Sequence, residues 1–118
     1  MSIEDLVFFD RHEAEFDESV TDPEKCVRGQ PVQRTWNHFT STDGKLFAGI
    51  WEVEPGCWRV RYSENEYCHI LAGKSVLRDQ DGGARTVQAG DQFVIPAGFE
   101  GEWEALEATR KVYVIYQP

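Results

Sequence analysis

Gly56-Cys-Trp-Arg-Val-Arg-Tyr-Ser-Glu-Asn-Glu-Tyr-Cys-His-Ile-Leu-Ala-Gly73 leads, through a polar hairpin, to Ala89-Gly-Asp-Gln-Phe-Val-Ile-Pro-Ala-Gly-Phe-Glu-Gly-Glu-Trp103. These two stretches decide the fold. From Cys57 to Tyr62 the residues alternate, with Trp58, Val60 and Tyr62 on one face and Cys57, Arg59 and Arg61 on the other. A period of two marks a half-buried strand, here with its aromatic side inward. Tyr67 to Leu71 and Ser75 to Arg78 flank Gly73, and Asp79-Gln-Asp-Gly-Gly83 has the composition of a tight hairpin. Arg85 to Gln88 makes the returning strand. Gly90-Asp91 then turns the chain into Phe93-Val-Ile, an apolar run expected to be a buried strand, which Pro96 ends.

Working outward, Val32 to Ser41 and Leu46 to Val53 read as strands separated by the Asp43-Gly44 turn, and Pro55-Gly56 ends the second. Glu102 to Leu106 and Lys111 to Tyr116 are the last two strands. Short strands at regular spacing, with turn residues between them, predict an all-β sandwich or barrel. Residues 1–31 are acidic and weakly patterned and are expected to form a lead-in packed on the main body, the alternative being part of a dimer interface. Within them Ile3 to Phe9 fits a short strand or an arm, and Val20 to Lys25 a turn fixed by Pro23.

The 118 residues suit one domain, long enough for a core without staples. With 21 acidic against 12 basic residues, the net charge of −9 makes nucleic acid and anionic membrane poor partners. The three cysteines, Cys26, Cys57 and Cys68, are an odd count with no Cys-x-x-Cys spacing, so reduced thiols are expected. The N-terminus has neither the basic region nor the apolar core of a signal peptide, and no run approaches a membrane span, so a cytoplasmic location is expected.

The two motifs, at this order and spacing, resemble the cupin superfamily and most closely its cupin_3 branch, also called DUF861. That branch also supplies the cupin domain of (S)-ureidoglycine aminohydrolase. The resemblance covers roughly residues 46–116, with Trp51-Glu-Val-Glu-Pro-Gly56 and Arg110-Lys-Val-Tyr113 in support. It implies a small double-stranded jelly-roll barrel with an N-terminal arm or strand, room inside for one small ligand, and a homodimer. The general cupin pattern implies three His and one Glu around a divalent metal. Here Glu66 matches the Glu, and Gly73, Gly90, Pro96 and Gly98 match the framework. The His positions of the first motif fall on Val60 and Tyr62 in the shorter register, or on Arg59 and Arg61 in the longer. That of the second motif falls on Gly101. The shorter register is preferred because it leaves both arginines in solvent. With most of the ligand set missing, no metal and no other cofactor is expected.

Glu66 is the most informative residue. An ionised, unpaired carboxylate in an aromatic lumen would cost several kcal/mol, so it must be protonated, paired or wet. It is the candidate acid/base, or else a structural Glu bonded to a neighbouring strand. Trp51, Tyr62, Cys68 and Trp103 are candidate ligand-binding residues around it. Cys68 shares its face but has the character of a small buried apolar group rather than a nucleophile. Lys111 is expected to be exposed, the alternative being a pair with Glu66 inside. His12, His38 and His69 lie outside the motifs, and His69 should face away from Glu66. Two readings stay open: metal-independent acid/base chemistry on a small, nitrogenous metabolite, and a non-catalytic small-ligand module. A third is a metalloenzyme of the aminohydrolase type with unrecognised ligands.

Overall fold

The computed structural model describes residues 1–10 and 14–118. Among them eleven strands follow one 3-10 turn at Ile3–Asp5: β1 Glu15–Val20, β2 Cys26–Arg28, β3 Val32–Thr40, β4 Leu46–Val53, β5 Gly56–Arg61 and β6 Asn65–Ala72. The rest are β7 Lys74–Asp79, β8 Ala84–Gln88, β9 Gln92–Ile95, β10 Glu100–Ala105 and β11 Thr109–Tyr116. They form two antiparallel sheets, ordered β1-β3-β4-β11-β6-β9 and β2-β5-β10-β7-β8. Consecutive strands repeatedly cross between the sheets, as in a jelly roll, and the fold is all-β as the turn spacing predicts.

The lead-in does more than pack on the body. It gives each sheet an edge strand, β1 beside β3 and β2 beside β5. Phe93-Val-Ile is not a buried strand. As β9 it is the far edge of the larger sheet, paired with β6 alone, and Val94 is 61% exposed. Only its inward residues, Phe93 and Ile95, reach the core. An apolar run reports that a strand has partners, not that both of its faces are covered.

The core lies between the sheets. Val53, Cys68, Ile70 and Ile95 project from the larger sheet, and Trp58, Trp103, Ala105 and Val87 from the smaller. Trp58, Trp103 and Leu77 stand in register across β5, β10 and β7, so one row of side chains crosses the smaller sheet. On its outer side the Glu104 carboxylate is clamped by Arg78 at 2.7 Å and Arg28 at 3.0 Å, beside buried Cys57. Both hydrogen bonds, Arg78's foremost, hold the Glu104 carboxyl below its ordinary pKa.

Gly73 closes the turn from β6 to β7 at φ +88°, where a Cβ would lie 2.0 Å from the Ala108 carbonyl oxygen. Conformation and space both demand glycine there. Gly73→Ala is expected to lower stability by more than about 2 kcal/mol in urea unfolding, since strain and clash combine; a change within about 0.5 kcal/mol would contradict this packing.

Candidate functional site

Strand alternation turns Glu66, Cys68 and Ile70 of β6 inward and leaves Tyr67 and His69 on the other face. On β11 the same alternation turns Lys111, Tyr113 and Ile115 toward the lumen. Lys111 is not exposed. Its side chain is 5% accessible and its Nζ lies 2.7 Å from Glu66 Oε2, itself on a side chain 6% accessible. Glu66 is therefore no solitary acid, and the alternative of an internal pair is the one realised. The physical reason is the one that constrains Glu66: a carboxylate out of water needs a counter-charge, and Lys111 has the inward position on the adjoining strand.

Lys111 Nζ also sits 4.5 Å from the ring centroids of both Trp51 and Trp103. The two indoles come from opposite sheets and meet edge to face at 5.4 Å, and Trp58 stacks on Trp103 at 6.4 Å. An ammonium over an indole face is held by the ring quadrupole, most strongly where water is excluded. Both ring N–H groups are spent elsewhere: Trp51 donates to Gln33 Oε1 at 3.0 Å and Trp103 to Ser75 Oγ at 3.0 Å. Ser75 Oγ lies 2.7 Å from Thr109 Oγ1, and both residues are fully buried.

These side chains border a cavity of about 220 Å³, lined by the candidate residues Trp51, Tyr62, Glu66 and Trp103 together with Lys111 and Tyr113. Cys68 is wholly buried behind it in the core rather than on its wall. Burial pushes the Cys68 thiol from 9.0 up to about 12, partly offset by the Lys111 charge, and so removes its nucleophilic form at neutral pH. Burial likewise pushes the Tyr62 phenol well above its ordinary value, and the Tyr113 phenol up to about 12. The Tyr113 hydroxyl donates to Asn37 Oδ1 at 2.7 Å. For Lys111, burial is the largest influence and works against the charge, but the adjacent Glu66 carboxylate, together with Cys68 and Tyr62, more than offsets it and holds the ammonium above its usual pKa.

The shorter register of the metal pattern is the one observed: Val60 and Tyr62 pack toward the core, and Arg59 and Arg61 are exposed. At Gly101 a Cβ would lie 1.8 Å from the Arg78 carbonyl oxygen, because β10 and β7 close on each other there. No imidazole fits at that position without moving backbone. Among the described residues no group of three or more His, Cys, Asp or Glu could hold a metal ion, and the charge facing Glu66 is an ammonium. The residues present do not fit the metal of the general pattern. His38, on β3, stacks on Phe9 at 4.6 Å, and His12 lies outside the described residues.

The EutQ-like cupin domain family model matches residues 40–113. The chain belongs to this cupin family. Among solved structures, a protein of unknown function of the DUF861 family from Pseudomonas syringae is similar with a TM-score of 0.78 and 26% identity, covering 86% of this chain. This cupin spans only 44% of that protein's length. A DUF861 family protein from Thermotoga maritima is 38% identical over 54% of this chain and 73% of its own, with a TM-score of 0.53. The Clostridium difficile EutQ protein shares the fold at 22% identity and a TM-score of 0.66, over 74% of this chain and 64% of its own. No curated protein matches this cupin.

Sequence reasoning preferred an exposed Lys111 and kept the internal pair as the alternative, although the signal for the pair was present. Once Glu66 is taken as inward it requires a cation, and Lys111 alternates with Tyr113 on the strand beside it. Ser75 and Thr109, which anchor Trp103, carried no signal, since small hydroxyl residues on strands are usually solvated.

Glu66→Gln and Lys111→Met are each expected to cost about 3–5 kcal/mol in chemical denaturation, because each leaves a buried charge alone. The double substitution should cost markedly less than the sum; strict additivity would show that the pair is not coupled. Stability is also expected to fall at alkaline pH. The Cys68 thiol, 9.0 unfolded and about 12 folded, binds its proton more tightly in the native state, and Lys111 and Tyr113 shift in the same direction. Their contribution is complete below the unfolded values and is lost as pH climbs toward the folded ones. Urea midpoints should therefore decline progressively above pH 9.0, toward about 12; a flat profile there would contradict the burial of these groups.

Proposed function

We propose that this cupin binds a small organic molecule in its lumen without a metal, the Glu66–Lys111 pair and the indoles of Trp51 and Trp103 forming the wall it rests against. The observation that carries this reading is the coincidence of the motif carboxylate with an aromatic-lined cavity of about 220 Å³. That volume lies below the roughly 300–1,000 Å³ of sites for drug-sized ligands, so the ligand is a metabolite of a few carbons. Tyr62 and Trp103 contribute surface and orientation.

A catalytic version of the same site, with Glu66 as acid/base toward a nitrogenous metabolite, requires the ligand to draw Oε2 away from an ammonium 2.7 Å distant. That competition weighs against catalysis and favours the binding reading. The aminohydrolase-type metalloenzyme is disfavoured further by the donor set, which offers an ammonium where a divalent ion would sit.

Homodimerisation belongs to the same proposal. Every residue of edge strand β1 is exposed, Phe16 and Val20 included, and unpaired edges invite cover by a second chain. The free cysteines suit a reducing, cytoplasmic setting. Among the described residues no helix is long and apolar enough to cross a membrane.

Thr35 borders the cavity from β3, and Trp51, Trp58 and Trp103 make indole fluorescence a direct reporter of its contents. A metabolite that enters should shift this emission and raise the melting temperature. Thr35→Phe, which fills the space, should abolish both responses while the variant stays folded. Unchanged binding in the filled variant would place the ligand elsewhere and end this reading.

A further inference from the structure

The lumen is a neutral compartment inside a strongly acidic chain. The net charge is −9, yet the charged side chains on the cavity wall are one carboxylate and one ammonium, set against each other. Each is already committed. Lys111 Nζ faces Glu66 on one side, and Trp51 and Trp103 at 4.5 Å on two others. An incoming anion meets an ammonium screened by two ring faces and its own counter-ion. To reach it the anion must displace Glu66 and leave that carboxylate buried without a partner, which is the costly outcome for such pairs. An incoming cation must compete for Glu66 and for the indole faces with a cation that is covalently tethered beside them, and tethering gives the resident group a large effective concentration.

Uncommitted hydrogen-bonding capacity is of another kind. Thr35 and Tyr62 both border the cavity, and among the described residues no hydrogen-bond partner is found for either hydroxyl. A hydroxyl both donates and accepts, and so suits groups that do the same. The Tyr62 phenol, ordinarily 10.0 and raised further by burial, is protonated and able to donate at neutral pH. Around these groups the wall is aromatic and apolar apart from Gln33, whose amide oxygen accepts from Trp51 and whose amide nitrogen donates to Thr21.

We infer that the lumen selects small uncharged molecules carrying an amide, urea or alcohol group on an apolar or planar frame, and rejects carboxylates and amines of the same size, because the Glu66–Lys111 pair saturates both charges from within. This inference rests on the lumen-binding reading above and adds the chemical class of the ligand. It has a corollary for each partner of the pair. Removing the carboxylate leaves an unpaired ammonium that calls for an anion. Removing the ammonium vacates the space between two indole faces beside a carboxylate, a setting suited to an alkylammonium.

The test uses the near-isosteric set butyramide, butyrate and butylammonium, titrated calorimetrically into the full chain. The wild-type protein should bind butyramide at least ten-fold more tightly than either ion. Glu66→Gln should gain at least ten-fold for butyrate, and Lys111→Met at least ten-fold for butylammonium. Equal or tighter binding of either ion by the wild-type protein overturns the charge selection while leaving the lumen as a site. If none of the three binds the wild-type protein, the lumen reading itself fails and this inference with it. Should a variant fail to fold, the wild-type comparison decides alone.

Discussion

A carboxylate and an ammonium held 2.7 Å apart, each about 95% removed from solvent, set the terms for everything around them. Neither could stay charged in that place alone. The pair links β6 to β11 across the Cys68–Tyr113 rung that lies between Glu66 and Lys111. A one-residue slip of either strand would turn one charge out and strand the other inside, so the pair penalises every wrong register as well as completing the right one. Its contribution is thus to specificity at least as much as to stability, since a matched apolar pair would fill the space at lower desolvation cost.

The pair also bears on the metal set that the general cupin pattern implies, which the residues present do not fit. In the general pattern a carboxylate faces a cation held by imidazoles. Here the carboxylate remains, and the positive charge is delivered on a side chain from the neighbouring strand. Two of the pattern's imidazole positions hold Val60 and Tyr62, which pack against the core, and the third holds Gly101, where the β7 backbone passes too close for any Cβ. A His at that position requires β10 and β7 to separate, so the misfit lies in the sheet and not only in the side chains.

Most of the architecture was legible in the residues. Leu46–Val53 matched its strand end for end, and the hairpin at Asp79–Gly83, the inward Trp58-Val60-Tyr62 face and the outward His69 were all readable from alternation and turn chemistry. Two failures share a cause. Phe93-Val-Ile was read as buried and Lys111 as exposed, because strand hydropathy was taken to report coverage. Coverage is a property of sheet order: β9 is apolar but lies at an edge, and β11 carries a lysine but lies between β4 and β6. Sheet order is set by pairings between segments distant in sequence, which no local window contains. The lead-in was obscure for the same reason, since β1 and β2 are strands only by virtue of the neighbours they meet.

Rigid placement of the indoles sets the character of the lumen. A cation–π contact requires the ring face, not its edge, to meet the ammonium, and an indole free to turn would lose it. Trp51 is fixed by Gln33, whose amide in turn donates to Thr21 Oγ1 at 2.8 Å, while that hydroxyl donates to the Pro31 carbonyl at 2.7 Å. Trp103 is fixed through Ser75 to Thr109. Each ring is thereby tethered at its polar edge and presents its apolar face inward. The lumen's character follows from that division: the hydrogen-bonding capacity of the indoles is consumed by Gln33 and Ser75, charge is cancelled within the wall, and what faces the cavity is aromatic surface interrupted by hydroxyl groups and the Gln33 amide. On the proposed binding reading, a wall of this composition would discriminate by shape and by neutral hydrogen bonding, and the resident ion pair, which carries the only full charges there among the described residues, would act on a ligand chiefly by what it excludes.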